Sequence, residues 1–389
     1  MKILFDDQIF TLQRYGGISR YFCELMDQFT MVPDISINLA MRYSHNENLL
    51  ARSSLDKYWS NRSTFYSSPF FPNIKKYFHI NLLTRLQINQ HESIRQLRKQ
   101  EFDIFHPTYY DPYFLKHIGE KPYVLTVYDM IHEIYPEFFS VRDLTIQRKK
   151  QLIENATSVI AISHNTKNDI IRFTNVDPDR VSVVHLGNPL KPTDSLRHNE
   201  KKEGSLDLDV DYLLFVGKKS GYKNFNRMIS SIASLLRDNT SLHLYCAGGG
   251  SFTPVEIQLL KDFDVYSKVH FINISTDDLL IELYKNARAF IFPSLYEGFG
   301  LPILEAFSCG CPLVTSNSSS LSEIAGDAAC FFDPESGDSI AEAVESILSN
   351  PDYRTDLIKK GYRRLKCFSW EKTARETKCV YDNTLYQYV

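Results

Sequence analysis

Residues 290–307 read Phe290-Ile291-Phe292-Pro293-Ser294-Leu295-Tyr296-Glu297-Gly298-Phe299-Gly300-Leu301-Pro302-Ile303-Leu304-Glu305-Ala306-Phe307. The short apolar run at the start has the character of a buried strand, Gly-x-Gly marks a loop, and Pro302 opens an apolar-periodic segment as a helix's first turn does. The stretch is therefore a strand, a loop and a helix. Glu297 and Glu305 stand eight positions apart. Gly298, Gly300 and Pro302 between them exclude one continuous helix, which puts Glu297 on the loop and Glu305 in the helix's first turn. A helix start of this kind offers backbone N–H groups to an anion, and glycines let a phosphate or sugar oxygen approach the main chain. Two solvated surface glutamates are the plain alternative.

Upstream of this turn the pattern repeats. Strands are expected at Tyr212–Val216, Leu242–Ala247 and Val269–Ile272, with helices at Phe225–Leu236, Val255–Phe263 and Leu279–Asn286 between them. Downstream come a strand at Leu313–Thr315 and helices near Ser339–Leu348 and Asp352–Leu365. The first half alternates too: Ile3–Phe5, a helix from Ile18 through Phe29, Ile35–Ala40, Ile104–His106, Tyr123–Val127, Val159–Ser163 and Val181–His185, with helices at Ile146–Asn155 and Asn165–Phe173. Strand-helix alternation makes a doubly wound parallel sheet whose ligands bind beyond the strands' carboxyl ends. Pro107-Thr108-Tyr109-Tyr110 and Tyr128 to Glu133 fall on that edge. Between the halves, Leu190 to Asp211 is rich in Lys, Glu, Asp, Ser, Asn and Pro and reads as a linker. Four segments follow: a first domain over 1–190, a linker over 191–211, a second domain over 212–369 and a final helix over 370–389.

The 389 residues suffice for two cores, and 43% hydrophobic with 23% charged residues is the composition of an ordinary globular protein. A net charge of −3 lacks the positive excess of a general nucleic-acid binder, so no nucleic acid is expected as a partner. Seven cysteines without a Cys-x-x-Cys pair read as reduced, mostly buried thiols of a cytoplasmic protein. Two acids interrupt the N-terminal apolar run, which argues for a first strand and against a signal peptide. No apolar run reaches the length of a membrane span. The segment from Asn73 to Gln100 is helical and basic, carrying Lys75, Lys76, Arg85, Arg95, Arg98 and Lys99. A solvated face is its ordinary reading, and contact with a membrane surface the sharper one.

Further motifs bear on chemistry. Gly217-Lys218-Lys219-Ser220-Gly221-Tyr222-Lys223-Asn224 leaves the second domain's first strand, and ammonium groups on a glycine-bearing loop suit a departing diphosphate. Gly16-Gly17 stands at a helix N-terminus. Asp207, Asp209 and Asp211 alternate, but no glycine turn bends them into a cage of converging oxygens, so no metal is expected. His132 reads as structural unless a partner proves otherwise.

Together with Gly248-Gly249-Gly250 and Ser322-Glu323-Ile324-Ala325-Gly326-Asp327, these stretches resemble the retaining nucleotide-sugar glycosyltransferases of family 4, most fully in the second domain and in the manner of bacterial surface-polysaccharide hexosyltransferases. The resemblance implies the α/β GT-B fold, two doubly wound Rossmann-like domains facing across a cleft, and transfer of a hexosyl unit with retention from a nucleotide-diphosphate sugar to a saccharide. No cofactor is implied. GDP-mannose is the favoured donor, and a lipid-linked acceptor in polysaccharide or O-antigen synthesis the favoured acceptor, with peripheral contact at the inner face of the cytoplasmic membrane. Carried over residue by residue, the donor-binding set is Gly16, Gly17, Lys218, Lys219, Lys223, Glu297, Gly298, Phe299, Gly300, Leu301 and Glu305. Glu297, Lys219, Lys223 and Asp129 are the catalytic candidates, and Tyr109, Tyr110, Asp129 and His132 those for the acceptor. Glu297 would hold the donor's sugar hydroxyls and Glu305 the nucleotide ribose. The chain departs from the family twice. Lysine, at 218 or 219, stands where an arginine is usual, and Tyr128 replaces the histidine of a His-Asp pair. A sugar-phosphate phosphorylase and a non-catalytic nucleotide-sugar-binding subunit are the alternatives.

Overall fold

A computed structural model describes residues 1–59, 82–190, 210–219, 221–274 and 276–388. Lys75, Lys76, Asp207, Asp209 and nearly all of the expected linker lie outside these residues. The chain forms two compact units. The first comprises Met1–Glu133, Ser140–Gly187 and Trp370–Val389, and the second Ile134–Phe139 with Asn188–Ser369. The short segment 134–139 goes with the second unit because Tyr135 stacks on Phe138 and meets Tyr296 edge-on, with ring centroids 5.8 and 6.5 Å apart.

In the first unit β1 (Lys2–Asp6), β2 (Ser36–Ala40) and β3 (Ile104–His106) pair in parallel in the order β2-β1-β3, and β4 (Val124–Val127), β5 (Ser158–Ala161) and β6 (Val181–Val183) in the order β4-β5-β6. A parallel bridge from Phe105 to Tyr123 joins the two sets. The resulting order 2-1-3-4-5-6 reverses direction between β1 and β3. Apolar strands buried on both faces need helices on both sides. One of these, Trp370–Tyr388, packs on the helix Gly17–Thr30, which presents Tyr21, Phe22, Leu25, Met26 and Phe29 at helical spacing. Tyr381 is the pin: its ring meets Phe29 and its hydroxyl lies 2.6 Å from His106 Nδ1. His106 Nε2 faces Thr126 Oγ1 at 2.9 Å, and complete burial holds the imidazole neutral, its pKa lowered to about 3.

The second unit has one six-stranded parallel sheet of β7 (Asp211–Val216), β8 (Leu242–Ala247), β9 (Val269–Ile272), β10 (Ala289–Phe292), β11 (Leu313–Ser316) and β12 (Cys330–Phe332). Their order is β12-β11-β10-β7-β8-β9. Read from the β9 edge this is 3-2-1-4-5-6, the nucleotide-binding order, with its switch point between β7 and β10. The helix Phe225–Asp238 shows why the sheet is covered. Phe225, Met228, Ile229, Ile232 and Leu236 form one stripe, are each at most 1% exposed, and each contribute about 1.5–3 kcal/mol by leaving water. Five cysteines are buried, Cys367 and Cys379 are exposed, and all seven are free thiols. Among the described residues no helix is long and apolar enough to cross a membrane.

Candidate active site

The switch point of the second unit brings together two loops far apart in the chain: 217–224 after β7 and 293–300 after β10. The main chain joins them directly, Leu295 N donating to the Tyr222 carbonyl at 2.7 Å. Lys223 Nζ reaches Glu297 Oε1 at 2.5 Å, and Ser294 Oγ donates to the same oxygen at 2.6 Å. The glutamate's own backbone is held at both ends, its N–H donating to Ser319 Oγ at 3.0 Å and its carbonyl accepting from Ser320 Oγ at 2.8 Å. With side-chain exposures of 17% and 14%, Lys223 and Glu297 form a largely sheltered pair that keeps some contact with solvent.

Gly300 makes the turn possible. It stands at φ +97°, and a Cβ there would lie 2.9 Å from Leu321 Cδ2 and 3.2 Å from Ile303 Cδ1. The helix that follows spans Leu301–Ser308 with Pro302 in its first turn. Gly298 and Phe299 are buried in the turn, Phe299 edge-on to Phe368 at 5.9 Å. One expectation needs correction. Glu305 is the fifth residue of the helix, and the first turn contains no acid. It is 9% exposed and accepts from Tyr284 O–H at 3.0 Å. Burial, then the neighbouring carboxylate, hold the Tyr284 phenol well above its ordinary pKa, so it stays a donor.

Lys218 and Lys219 differ. Lys218 is exposed on the loop. Lys219 turns inward, 4% exposed, donates to the Gly250 carbonyl at 2.6 Å and sits over the rings of Phe252 and Phe271 at 5.3 and 5.4 Å. The expected exposed ammonium at 219 is thus committed to the interior, where it ties the 217–224 loop to the glycine run 248–250. Gly249 is pressed on the same loop: at φ +70°, a Cβ would stand 2.4 Å from the Gly217 carbonyl oxygen. Asp211 is paired with Arg288 at 2.6 Å inside β7.

In the first unit Gly16 precedes the helix that Gly17 begins, its carbonyl accepting from Ser19 Oγ and Asn48 Nδ2 at 3.0 and 3.1 Å. Tyr109 lies against Tyr110 with centroids 4.7 Å apart, and the Tyr110 hydroxyl accepts from Tyr128 N at 3.1 Å. Tyr128 itself is 6% exposed within an aromatic cluster of Tyr21, Phe22 and Tyr110, so the position of the family's histidine is filled by packing. Asp129 Oδ1 accepts from Ile131 N at 3.1 Å. His132 Nε2 lies 3.5 Å from Asp143 Oδ2, yet burial and then the Lys149 charge lower its pKa and favour the neutral ring. Lys149, wholly buried, is the group that sequence reasoning passed over: it bonds the Asp129 carbonyl at 2.9 Å and Glu133 Oε2 at 2.8 Å. Also missed was the acidic end of β1, Asp6-Asp7, which a short helix over Gln8–Leu12 follows.

Two family models match the chain. Residues 197–364 match the glycosyl transferases group 1 model, and residues 56–190 that of glycosyltransferase family 4. The O-antigen chain mannosyltransferase B of Escherichia coli is 30% identical over 292 residues, covering 72% of this chain and 74% of its own. The O-antigen chain mannosyltransferase RfbU of Salmonella typhimurium is 27% identical over 229 residues, 59% of this chain and 61% of its own. Among solved structures, sucrose-phosphate synthase from Thermosynechococcus elongatus superimposes with a TM-score of 0.72 at 17% identity, covering 99% of both chains. The two doubly wound units are those of the GT-B fold. The chain belongs to glycosyltransferase family 4 and is a glycosyltransferase.

Proposed function

We propose that the chain is a retaining hexosyltransferase, mannosyl transfer favoured, that uses GDP-mannose and extends a lipid-linked saccharide in surface-polysaccharide or O-antigen synthesis. The observation that carries the reading is the Lys223–Glu297 pair at the switch point of the second unit, an ammonium and a carboxylate on adjoining loops beside a helix start. The mannosyl preference is supported by the names of the two O-antigen relatives. When the glycosidic bond breaks, negative charge gathers on the diphosphate, and in this reading Lys223, Lys218 and the N-terminal N–H groups of the Leu301–Ser308 helix stabilise it. Glu297 holds the sugar hydroxyls as positive charge grows on the ring. Glu305, oriented by Tyr284, binds the ribose. Lys219 acts through the loop it anchors.

In the first unit, Gly16 and Gly17 are assigned to donor binding, and Tyr109, Tyr110, Asp129 and His132 to the acceptor. Membrane contact through the helix Leu82–Lys99 would use the exposed charges Arg95, Arg98 and Lys99, of which Arg95 also bonds Glu92 and Lys99 pairs with Glu101 at 4.0 Å. The test is a thermal-shift panel of nucleotide sugars, in which a ligand raises stability as RT ln(1 + [L]/Kd). It is followed by NMR assignment of the product's anomeric configuration. A best response to a donor other than GDP-mannose, or an inverted product, would replace the corresponding part of the reading. Transfer is also expected to persist in excess chelator, and activity lost there but restored by a divalent cation would contradict metal independence.

A further inference from the structure

Three consecutive serines follow β11, and each directs its hydroxyl to the main chain of the turn that carries Glu297. Ser318 Oγ donates to the Leu295 carbonyl at 2.9 Å, Ser319 Oγ accepts from Glu297 N at 3.0 Å, and Ser320 Oγ donates to the Glu297 carbonyl at 2.8 Å. The backbone of the middle serine is unusual. Ser319 stands at φ +52° and ψ −138°. Asn224, also at positive φ, has ψ +27° and lies beside the small left-handed helical well that asparagine visits readily. Ser319 is far outside that well. With Leu321 N donating to the Ser318 carbonyl at 3.2 Å, its dihedrals are those of the first central position of a type II′ turn, where glycine is the usual residue.

Glycine would make this turn without steric cost, so what serine adds must come from its side chain. That side chain bonds the N–H of Glu297. The turn needs such a hold from outside, because Glu297 is followed by Gly298-Phe299-Gly300 and glycines leave a backbone loose. Backbone strain of this kind persists only where the surroundings over-determine it, and it gathers at functional sites. We propose that Ser319 is a positioning residue of the transferase, kept in a strained turn so that its hydroxyl clamps the backbone N–H of Glu297 and thereby sets the direction in which that carboxylate leaves the loop. The proposal rests on the role given to Glu297 above. A misplacement of about 1 Å in a group at the reacting centre can cost on the order of a hundredfold in rate, so a single hydroxyl holding the backbone is enough to matter.

Ser319→Gly and Ser319→Ala test it on the full chain, because both remove the hydroxyl while only glycine relaxes the backbone. Ser319→Gly should melt about 2 °C or more above Ser319→Ala. Steady-state release of GDP from GDP-mannose should nevertheless slow about tenfold in both, with donor KM within about threefold of the parent. Amide hydrogen exchange over residues 295–300, which needs no donor, should quicken about tenfold in both variants, the scale of one lost hydrogen bond. A purely structural serine would make kcat follow stability, so a parent-like kcat in Ser319→Gly would overturn the proposal. Exchange unchanged from the parent, or a glycine variant that melts no higher than the alanine variant, would overturn it as well. Glu297→Gln measured alongside separates this proposal from the reading beneath it. A slowed Glu297→Gln beside a parent-like Ser319→Gly removes the clamp alone. If the parent releases no GDP while exchange quickens in both variants, the donor assignment falls and the clamp on Glu297 stands.

Discussion

Glu297→Gln is the substitution that interrogates the site most directly, because the structure isolates charge from shape there. The backbone of Glu297 is fixed through Ser319 and Ser320, so the amide should occupy the place of the carboxylate. What disappears is the negative charge facing Lys223 at 2.5 Å, while the amide oxygen can still accept from Ser294 Oγ. Breaking a fully buried pair costs about 3–5 kcal/mol, and a surface pair about 0–1 kcal/mol. With both side chains at 14–17% exposure, a loss of roughly 2 kcal/mol is expected in the contact made to developing positive charge. At 1.36 kcal/mol per decade this is about a 30-fold fall in kcat. Donor KM should move by no more than about threefold, since the nucleotide is held by other groups. The assay is steady-state release of nucleoside diphosphate, with a thermal melt to confirm folding and Glu297→Asp to keep the charge while shortening its reach. A parent-like kcat in Glu297→Gln would refute the assignment. A raised KM with kcat intact would convert Glu297 into a ground-state binding group.

Three other outcomes are expected. Glu305→Gln should raise donor KM several-fold with little change in kcat, because a ribose contact acts in ground and transition states alike; kinetics showing the reverse pattern would reject that role. Lys218→Ala should raise donor KM without altering the melting temperature, whereas Lys219→Met should lower the melting temperature, having lost the Gly250 carbonyl; identical behaviour of the two variants would contradict their different placement. Burial, and then the charge of Asp6, push the Asp7 carboxyl from 3.8 up to about 7, with Thr11 and Asn89 the hydrogen-bonding groups that favour its ionised form. The folded chain thus binds a proton that the unfolded chain has released. Stability from this group is present below the ordinary carboxyl range and lost as pH rises toward 7. Asp7→Asn should therefore gain on the parent as pH climbs from roughly 4 to 7 and hold a constant lead above that, as read by urea unfolding; a pH-independent difference would refute it.

Most strands were legible because a parallel sheet buried on both faces leaves short, nearly continuous apolar runs. Leu242–Ala247 and Val269–Ile272 end where the reading of the residues puts them. Some short elements were not, although the three-residue strand Ile104–His106 was. β12 is three residues, Cys330–Phe332, and the helix Gln8–Leu12 begins on a polar residue that the interior accepts only because Asp6 and Asp111 bond its amide. The glutamate turn could be read because Gly-Phe-Gly-Leu-Pro constrains the backbone locally. The position of Glu305 slipped by a turn because periodicity gives a helix's phase, while its start was fixed by the left-handed Gly300. The inward course of Lys219 had no local signal at all. Phe252 and Phe271, the rings beneath its ammonium, come from beyond β8 and from β9, and a lysine on a Gly-Lys-Lys-Ser loop carries the same pattern whether it faces water or aromatic rings.

Adjacency is the deeper gap between sequence and site. The alternation of strands and helices predicts right-handed parallel crossovers, but each crossover can place its strand on either side of those already laid down. In the second unit β8 and β9 run outward from β7 on one side, and the chain then returns to add β10 on the other, so the loops after β7 and β10 share one edge. Without that return Lys223 and Glu297 would be charges at opposite ends of a sheet. In the first unit the same kind of return lays β3 beside β1, and it turns an inconspicuous Asp-Asp-Gln after the first strand into one wall of a cavity whose other wall is Tyr109 to Asp111. In each unit, the candidate site residues named here lie where the winding reverses. Asp7 therefore falls on the same structural footing as Glu297, although only the glutamate is framed by glycines that make it visible in the sequence.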